Sequence, residues 1–214
     1  MSGHTLLHPA RDGKTAGVDP AGRATPSVVA LVASAGGLNA LAVVLGGLPP
    51  RLPAAIVVQQ HLGGSASVLP SILERLSGRE VAWATDGVPV SRTRVVVCPP
   101  GMQMAIRPDG TCALSGFASV VHRSHDHLLR SLADAFGPRA VAVVLTGGGS
   151  DGAEGTTALV AAGGVVLAQS EDTADHPSMP HAAAAAGATL VVPLDEIADA
   201  VAGLVRDGTL PHQE

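Results

Sequence analysis

A chain of 214 residues that is 46% hydrophobic is long enough for one domain with a buried core and short for two. Its formal net charge is −5, and its 13 Lys and Arg residues form no basic run, which argues against nucleic acid or anionic lipid as the main partner. No apolar stretch approaches the ~20 residues that cross a bilayer, and residues 1–26 lack the apolar core of a signal peptide, so a cytoplasmic protein without membrane insertion is expected.

In chain order, residues 1–27 read as a disordered tail, rich in Gly and Pro and without hydrophobic periodicity. Order is expected from Val28. Strands at 28–33 and 54–60 alternate with helices at about 38–47 and 65–77, the pattern of a parallel sheet covered on both faces. Leu69, Ile72, Leu73 and Leu76 supply the apolar face of the second helix. From Glu80 to Leu114 the runs shorten to 81–84, 95–98, 103–106 and 111–115, divided by Asp86-Gly87, Pro99-Pro100-Gly101 and Pro108-Asp109-Gly110. This punctuation predicts antiparallel hairpins, most clearly at Pro108-Asp109-Gly110. Alternation returns with helix 124–136, strand 140–146, helix 153–162, strand 164–168, helix 180–186, strand 189–192 and helix 195–206. Residues 207–214 read as a short tail. The expected architecture is a single doubly wound α/β domain over 28–206, its mostly parallel sheet flanked by helices and carrying an antiparallel β-hairpin insertion.

Aromatic residues number three, Trp83, Phe117 and Phe136, so the core must be built from Val, Leu, Ala and Ile, and stacking platforms for bases or sugars are nearly absent. Cys98 and Cys112 each fall in a strand-like segment and read as reduced core thiols, with a bridge between them as the alternative.

Three apolar runs end in groups able to share one reaction. Ser34-Ala35-Gly36-Gly37 follows the first, His61 closes the second, and Gly147-Gly148-Gly149-Ser150-Asp151-Gly152 follows the third. Loops at the carboxyl ends of parallel strands form the ligand crevice, so these residues can converge there. Serine needs a base within hydrogen-bond reach and a third group to orient that base, which makes Ser34, His61 and Asp151 candidate nucleophile, base and orienter. Ala35, Gly36 and Gly37 leave room for a substrate carbonyl and offer N–H groups for an oxyanion. Simpler roles fit as well: Ser34 as the N-cap of the following helix, and His61 as a histidine satisfying backbone groups. The sequence is not the G-x-S-x-G elbow.

Gly147-x-Gly149-x-x-Gly152, with Glu171 about twenty residues on, also satisfies the dinucleotide fingerprint and keeps an oxidoreductase reading open. A metal reading of His122, His125 and Asp126 is weaker than a polar helix start, because Arg123 sits among the supposed ligands. Neither a metal nor a cofactor is expected.

V-A-S-A-G-G-L at 32–38, V-V-Q-Q-H at 57–61, C-P-P-G-M-Q-M at 98–104, L-T-G-G-G-S-D-G-A-E-G at 145–155 and S-M-P at 178–180 together resemble the catalytic domain of CheB-type protein-glutamate methylesterases. The resemblance covers about 28–205. It implies a doubly wound α/β fold, a Ser34–His61–Asp151 triad, a cleft that includes Gly148, Gly149 and Met179, and no cofactor. It further implies demethylation of glutamate methyl esters on chemoreceptor helices with release of methanol, and glutamine deamidation in some members. Ala35 stands where the family often has Thr, and Gly148 where it often has Met. The stretch from His122 is similar to a family segment written H-R-P-S-x-D, with Ser124 in place of the proline and His125 in place of the serine. Residues before Val28 are too few for the receiver domain of many members, so control by a regulator in trans is one expectation. A receptor-binding module without catalysis is the remaining alternative.

Overall fold

A computed structural model describes residues 27–62, 66–116 and 123–208. The tail expected at 1–27 lies outside the described residues except for Ser27, whose N–H donates to the Arg139 carbonyl at 2.7 Å. His122, Ser65 and 209–214 also lie outside, and the helix expected from 65 begins at Leu69, residues 66–68 being non-helical.

Strands β1 (Val28–Ala33), β2 (Ala55–Gln60), β3 (Val81–Trp83), β4 (Val95–Val97), β7 (Ala140–Val144), β8 (Val165–Gln169) and β9 (Leu190–Val192) form one sheet in the order β3-β4-β2-β1-β7-β8-β9. Every pairing in it is parallel. Helices α1 (Gly37–Gly47), α2 (Leu69–Ser77), α3 (Ser124–Phe136), α4 (Ala153–Ala161), α5 (Ser178–Ala185) and α6 (Ile197–Asp207) make the crossovers or follow the last strand. β5 (Met102–Ile106) and β6 (Cys112–Gly116) pair antiparallel as a separate hairpin, turning at Asp109, whose carboxylate accepts the Thr111 N–H at 2.9 Å.

The period of two along a strand divides the core into two layers. Val29, Leu31 and Ala33 of β1 join one buried cluster with α1, α2 and α6, while Val28, Ala30 and Val32 join the other with α3, α4 and the hairpin. All six β1 residues are fully buried, so β1 reads as an unbroken apolar run.

Two expectations need correction. The antiparallel reading of the whole middle section holds only for β5 and β6. β3 and β4 enter the main sheet in parallel, because Val95, Val96 and Val97 are buried on both faces and align beside Ile56, Val57 and Val58. On α2, Leu69 and Leu73 are buried but Leu76 is 53% exposed, since the helix reaches its Gly78 cap within two residues and its last turn leaves the core. Cys98 and Cys112 are both free and buried, and burial pushes the Cys98 thiol up to about 12, which makes it an inert core group.

β1 is central, with β2 on one side and β7 on the other; the connection from β1 runs to β2, and that from its neighbour β7 runs the opposite way to β8. That is the topological switch point at which open α/β sheets place their crevice.

Candidate active site

Register brings the first two groups together. Ala33 of β1 pairs with Gln60 of β2, and the next amide of β2, that of His61, donates to the Ala33 carbonyl at 3.1 Å. His61 is thereby laid alongside Ser34. On the other side, the Ser34 N–H donates to the Thr146 carbonyl at 3.0 Å, which ties the Ser34 loop to the loop leaving β7.

Ser34 is not the helix cap. The N-cap of α1 is Gly36, at φ 76°, with no side-chain cap hydrogen bond. A side chain there would meet a left-handed backbone and the Asp175 carboxylate at 2.8 Å, so glycine is required and the Ser34 hydroxyl stays uncommitted to the helix. Its Oγ lies 3.1 Å from Nδ1 of His61. Nε2 of His61 lies 2.9 Å from Oδ2 of Asp151. An ionised carboxylate only accepts, so Nε2 carries the ring proton and Nδ1 presents a lone pair to the serine hydroxyl. The two ring nitrogens exchange the roles they have in the chymotrypsin-type triad.

Asp151 is 92% removed from solvent. Burial alone would raise its carboxyl, but the N–H donors of His125, His61 and Asp126 outweigh it and hold the group well below the usual carboxylate range. Its oxygens accept the backbone N–H groups of His125 at 3.1 Å and Asp126 at 3.0 Å, both in the first turn of α3. The charge therefore sits on a helix N-terminus, where the macrodipole favours an anion.

The arrangement is reciprocal. Asp126, 2% exposed, accepts the N–H groups of Gly152 at 3.0 Å and Gly155 at 2.8 Å at the start of α4, and Arg123 reaches its other oxygen at 3.0 Å. Each of two neighbouring helices is thus capped by a carboxylate belonging to the other's N-terminal region. Asp126→Ala would orphan the two buried amides of Gly152 and Gly155 and is expected to destabilise the fold by about 2–4 kcal/mol, the scale for leaving two buried donors unsatisfied. An unchanged urea midpoint would contradict this.

Sequence reasoning placed His125 and Asp126 at a polar helix start; neither is a surface group. His125 is fully buried, and its Nε2 donates to the Gln59 carbonyl at 3.1 Å. A signal was available: Leu128, Leu129 and Leu132, at i+3, i+4 and i+7 from His125, are all fully buried, so the histidine lies on the core face of its helix. The Thr146 hydroxyl was also missed. It donates to the Ala35 carbonyl at 3.1 Å and accepts the His176 N–H at 2.8 Å, pinning three loops at one atom.

The remaining candidates surround Ser34. Ala35 and Gly36 are exposed, whereas Gly37 is buried at the start of α1. Gly148 and Gly149 are exposed on the β7–α4 loop, and a Cβ on Gly148 would meet nothing within 4 Å. Met179 is fully buried beneath that loop, its thioether 2.8 Å from where a Gly147 side chain would begin. Among the described residues, the backbone N–H groups of Ala35, Gly148 and Gly149 donate to no protein acceptor.

His61, His125 and Asp151 bring possible ligand atoms within 4.8 Å of one another. The two imidazoles stack at 28°, however, so their lone pairs run side by side rather than converging, and His61 Nε2 and His125 Nε2 carry protons. A hydrogen-bonded relay accounts for the cluster better than a metal centre does. The dinucleotide reading loses its basis too: the amides at the start of α4 that a pyrophosphate would need are taken by Asp126. A cavity of about 290 Å³ lies at the opposite end of the sheet, beside Leu48, Ile56 and Val95. The guanidinium of Arg79 there is spent on the carbonyls of Leu45, Leu48 and Pro49 at the end of α1.

Acid should weaken this site's contribution to folding in two windows. Burial lowers the pKa of His125, and of His127, below the value in the unfolded chain. Below about pH 6.5 the unfolded state takes up protons that the folded state refuses, so their contribution is full above that pH and falls on acidification. The depressed Asp151 carboxyl contributes fully above about pH 4 and is lost below it. We expect the urea midpoint to fall between pH 7 and 5, before any carboxylate-driven loss begins; a flat profile would count against a buried neutral His125.

The chain matches the CheB methylesterase family over residues 29–201. It is 39% identical over 198 residues to the protein-glutamate methylesterase/protein-glutamine glutaminase of Moorella thermoacetica, covering 89% of this chain and 47% of that relative. A relative of the same description, numbered 2, from Anaeromyxobacter dehalogenans is 40% identical over 191 residues, covering 87% of this chain and 56% of the relative. The chain thus spans about half the length of the curated relatives it matches. The crystal structure of the Thermotoga maritima CheB methylesterase catalytic domain superposes with a TM-score of 0.79 at 29% identity, covering 85% of this chain and all of that one. No helix among the described residues is long and apolar enough to cross a membrane. With its fold, its ordered motifs and these matches in agreement, the chain belongs to the CheB methylesterase family.

Proposed function

We propose that this chain is a serine-dependent protein-glutamate methylesterase acting on methylated cytoplasmic helices of chemoreceptor-like proteins. The observation that carries the reading is the line of contacts from Ser34 Oγ to His61 Nδ1 at 3.1 Å and from His61 Nε2 to Asp151 at 2.9 Å. Ser34 attacks the side-chain ester carbonyl as its proton passes to Nδ1 of His61. Asp151 keeps the other nitrogen protonated and stabilises the imidazolium. Nδ1 then returns the proton to the departing methoxide, giving methanol and a glutamyl ester of Ser34. Water, deprotonated by the same nitrogen, hydrolyses that ester and restores a free carboxylate. The uncommitted amides of Ala35, Gly148 and Gly149 are the donors available to the oxyanion, two of them on a loop whose carboxylate is already fixed. Attack on a glutamine side chain by the same route releases ammonia.

The test is methanol release from a methylated chemoreceptor cytoplasmic fragment, with loss of the methyl esters followed by mass spectrometry of the receptor peptides. Release matched by ester loss supports the proposal. If no methanol is released from a folded chain, the receptor-ester reading falls.

A further inference from the structure

The triad leaves one buried ionisable ring unexplained. His125 is fully buried, and its ring stacks on that of His61 with centroids 4.0 Å apart and planes 28° from parallel. It is closed off from solvent, and its hydrogen bonds go to Gln59 and Asp151 and not to Ser34. Nε2 is 3.1 Å from the Gln59 carbonyl, which can only accept, so the proton resides there. Nδ1 is left bare, 3.2 Å from Oδ2 of Asp151 without forming a hydrogen bond. Burial opposes a second proton on the ring.

Three consequences follow for His61. A ring torsion of this kind is broad when unconstrained, and the face of a second ring limits the plane in which Nδ1 and Nε2 can point. A bare Nδ1 on His125 leaves His61 as the one imidazole N–H bonded to Oδ2, so the carboxylate's pull is not shared with a second ring donor. A neutral π-face beneath His61 also attracts the positive charge that His61 acquires when it takes the serine proton. The anchor of the device is close by in sequence: Gln59 sits two residues before His61, and its side-chain Oε1 accepts the Met104 N–H of the hairpin at 3.2 Å.

We infer that His125 is a positioning residue of the triad, an aromatic shelf that sets the plane of the His61 ring and supports the imidazolium as it forms. This rests on the Ser34–His61–Asp151 reading above.

The test compares wild type with His125→Phe, which keeps an aromatic face, and with His125→Gln and His125→Leu, which do not. Melting curves establish which are folded, and one folded non-aromatic variant suffices. Two readouts are used: kcat and KM for methanol release, and the rate at which a fluorophosphonate labels Ser34, which needs no receptor substrate. We expect His125→Phe to stay within about threefold of wild type in both rates. His125→Gln or His125→Leu should lose about ten- to a hundredfold in kcat and in labelling rate at nearly unchanged KM, the scale of a misplaced catalytic group. Equal rates in aromatic and non-aromatic variants, or a loss confined to KM, overturn the shelf. Wild type that labels at Ser34 but releases no methanol overturns the receptor-ester reading, and the labelling ratios still decide the shelf. Wild type that does not label overturns the triad and the shelf with it.

Discussion

Ser34→Ala is expected to reduce methanol release to background while leaving the folded state intact. Removing the nucleophile of a serine triad costs about 10^6-fold in turnover, which lies beneath the detection limit of a methanol assay. The fold should hardly respond. Ser34 is partly exposed, its hydroxyl bonds among the described residues only to His61, and the N-cap of α1 is Gly36. A surface hydroxyl of this kind is worth within about 0.5 kcal/mol. Loss of release at an unchanged melting temperature therefore assigns chemistry rather than structure to Ser34. Retention of activity within tenfold of wild type would remove Ser34 as the nucleophile, and with it the acyl-enzyme route.

The second large effect is predicted for Asp151→Asn, where turnover should fall by up to about 10^4-fold at preserved fold. The reason is the number of acceptor sites. The carboxylate serves His61 Nε2 and the amide of His125 through Oδ2, and the amide of Asp126 through Oδ1. Asparagine offers one oxygen for these three donors. If that oxygen stays with the Asp126 amide, the NH2 takes the place of Oδ2, loses the His125 amide, faces His61 and forces the proton from Nε2 to Nδ1, and a protonated Nδ1 cannot accept from Ser34. The variant also forfeits the buried charge that the helix N-terminus favours, so it should melt earlier than Ser34→Ala. A drop in turnover of less than tenfold would show that Asp151 is a helix cap alone.

These predictions draw on different layers of information. The alternation of apolar runs, the positions of Ser34, His61 and Asp151 at the ends of three of them, and the Asp109 hairpin were legible in the sequence. Each depends on local pattern: strand period, turn chemistry, and the rule that loops at strand carboxyl ends share a crevice. The five ordered motifs added the family resemblance.

What the sequence left open depended on partners distant along the chain. Ser34 fitted an N-cap until Gly36 was seen to cap α1. The fingerprint around Gly147 suited a pyrophosphate until the carboxylate of Asp126, from another helix, was found on the Gly152 and Gly155 amides. β3 and β4 looked like hairpin strands because Gly and Pro punctuation reports a turn, not the strand with which the next segment pairs. His125 looked like a surface residue because a polar run hides the phase of the helix that follows. A sequence fixes which groups can donate, accept or bury themselves; strand order and helix packing decide which of them meet. Here they bring together a serine, two stacked histidines and two carboxylates that cap each other's helices, from residues 34 to 151 of one chain.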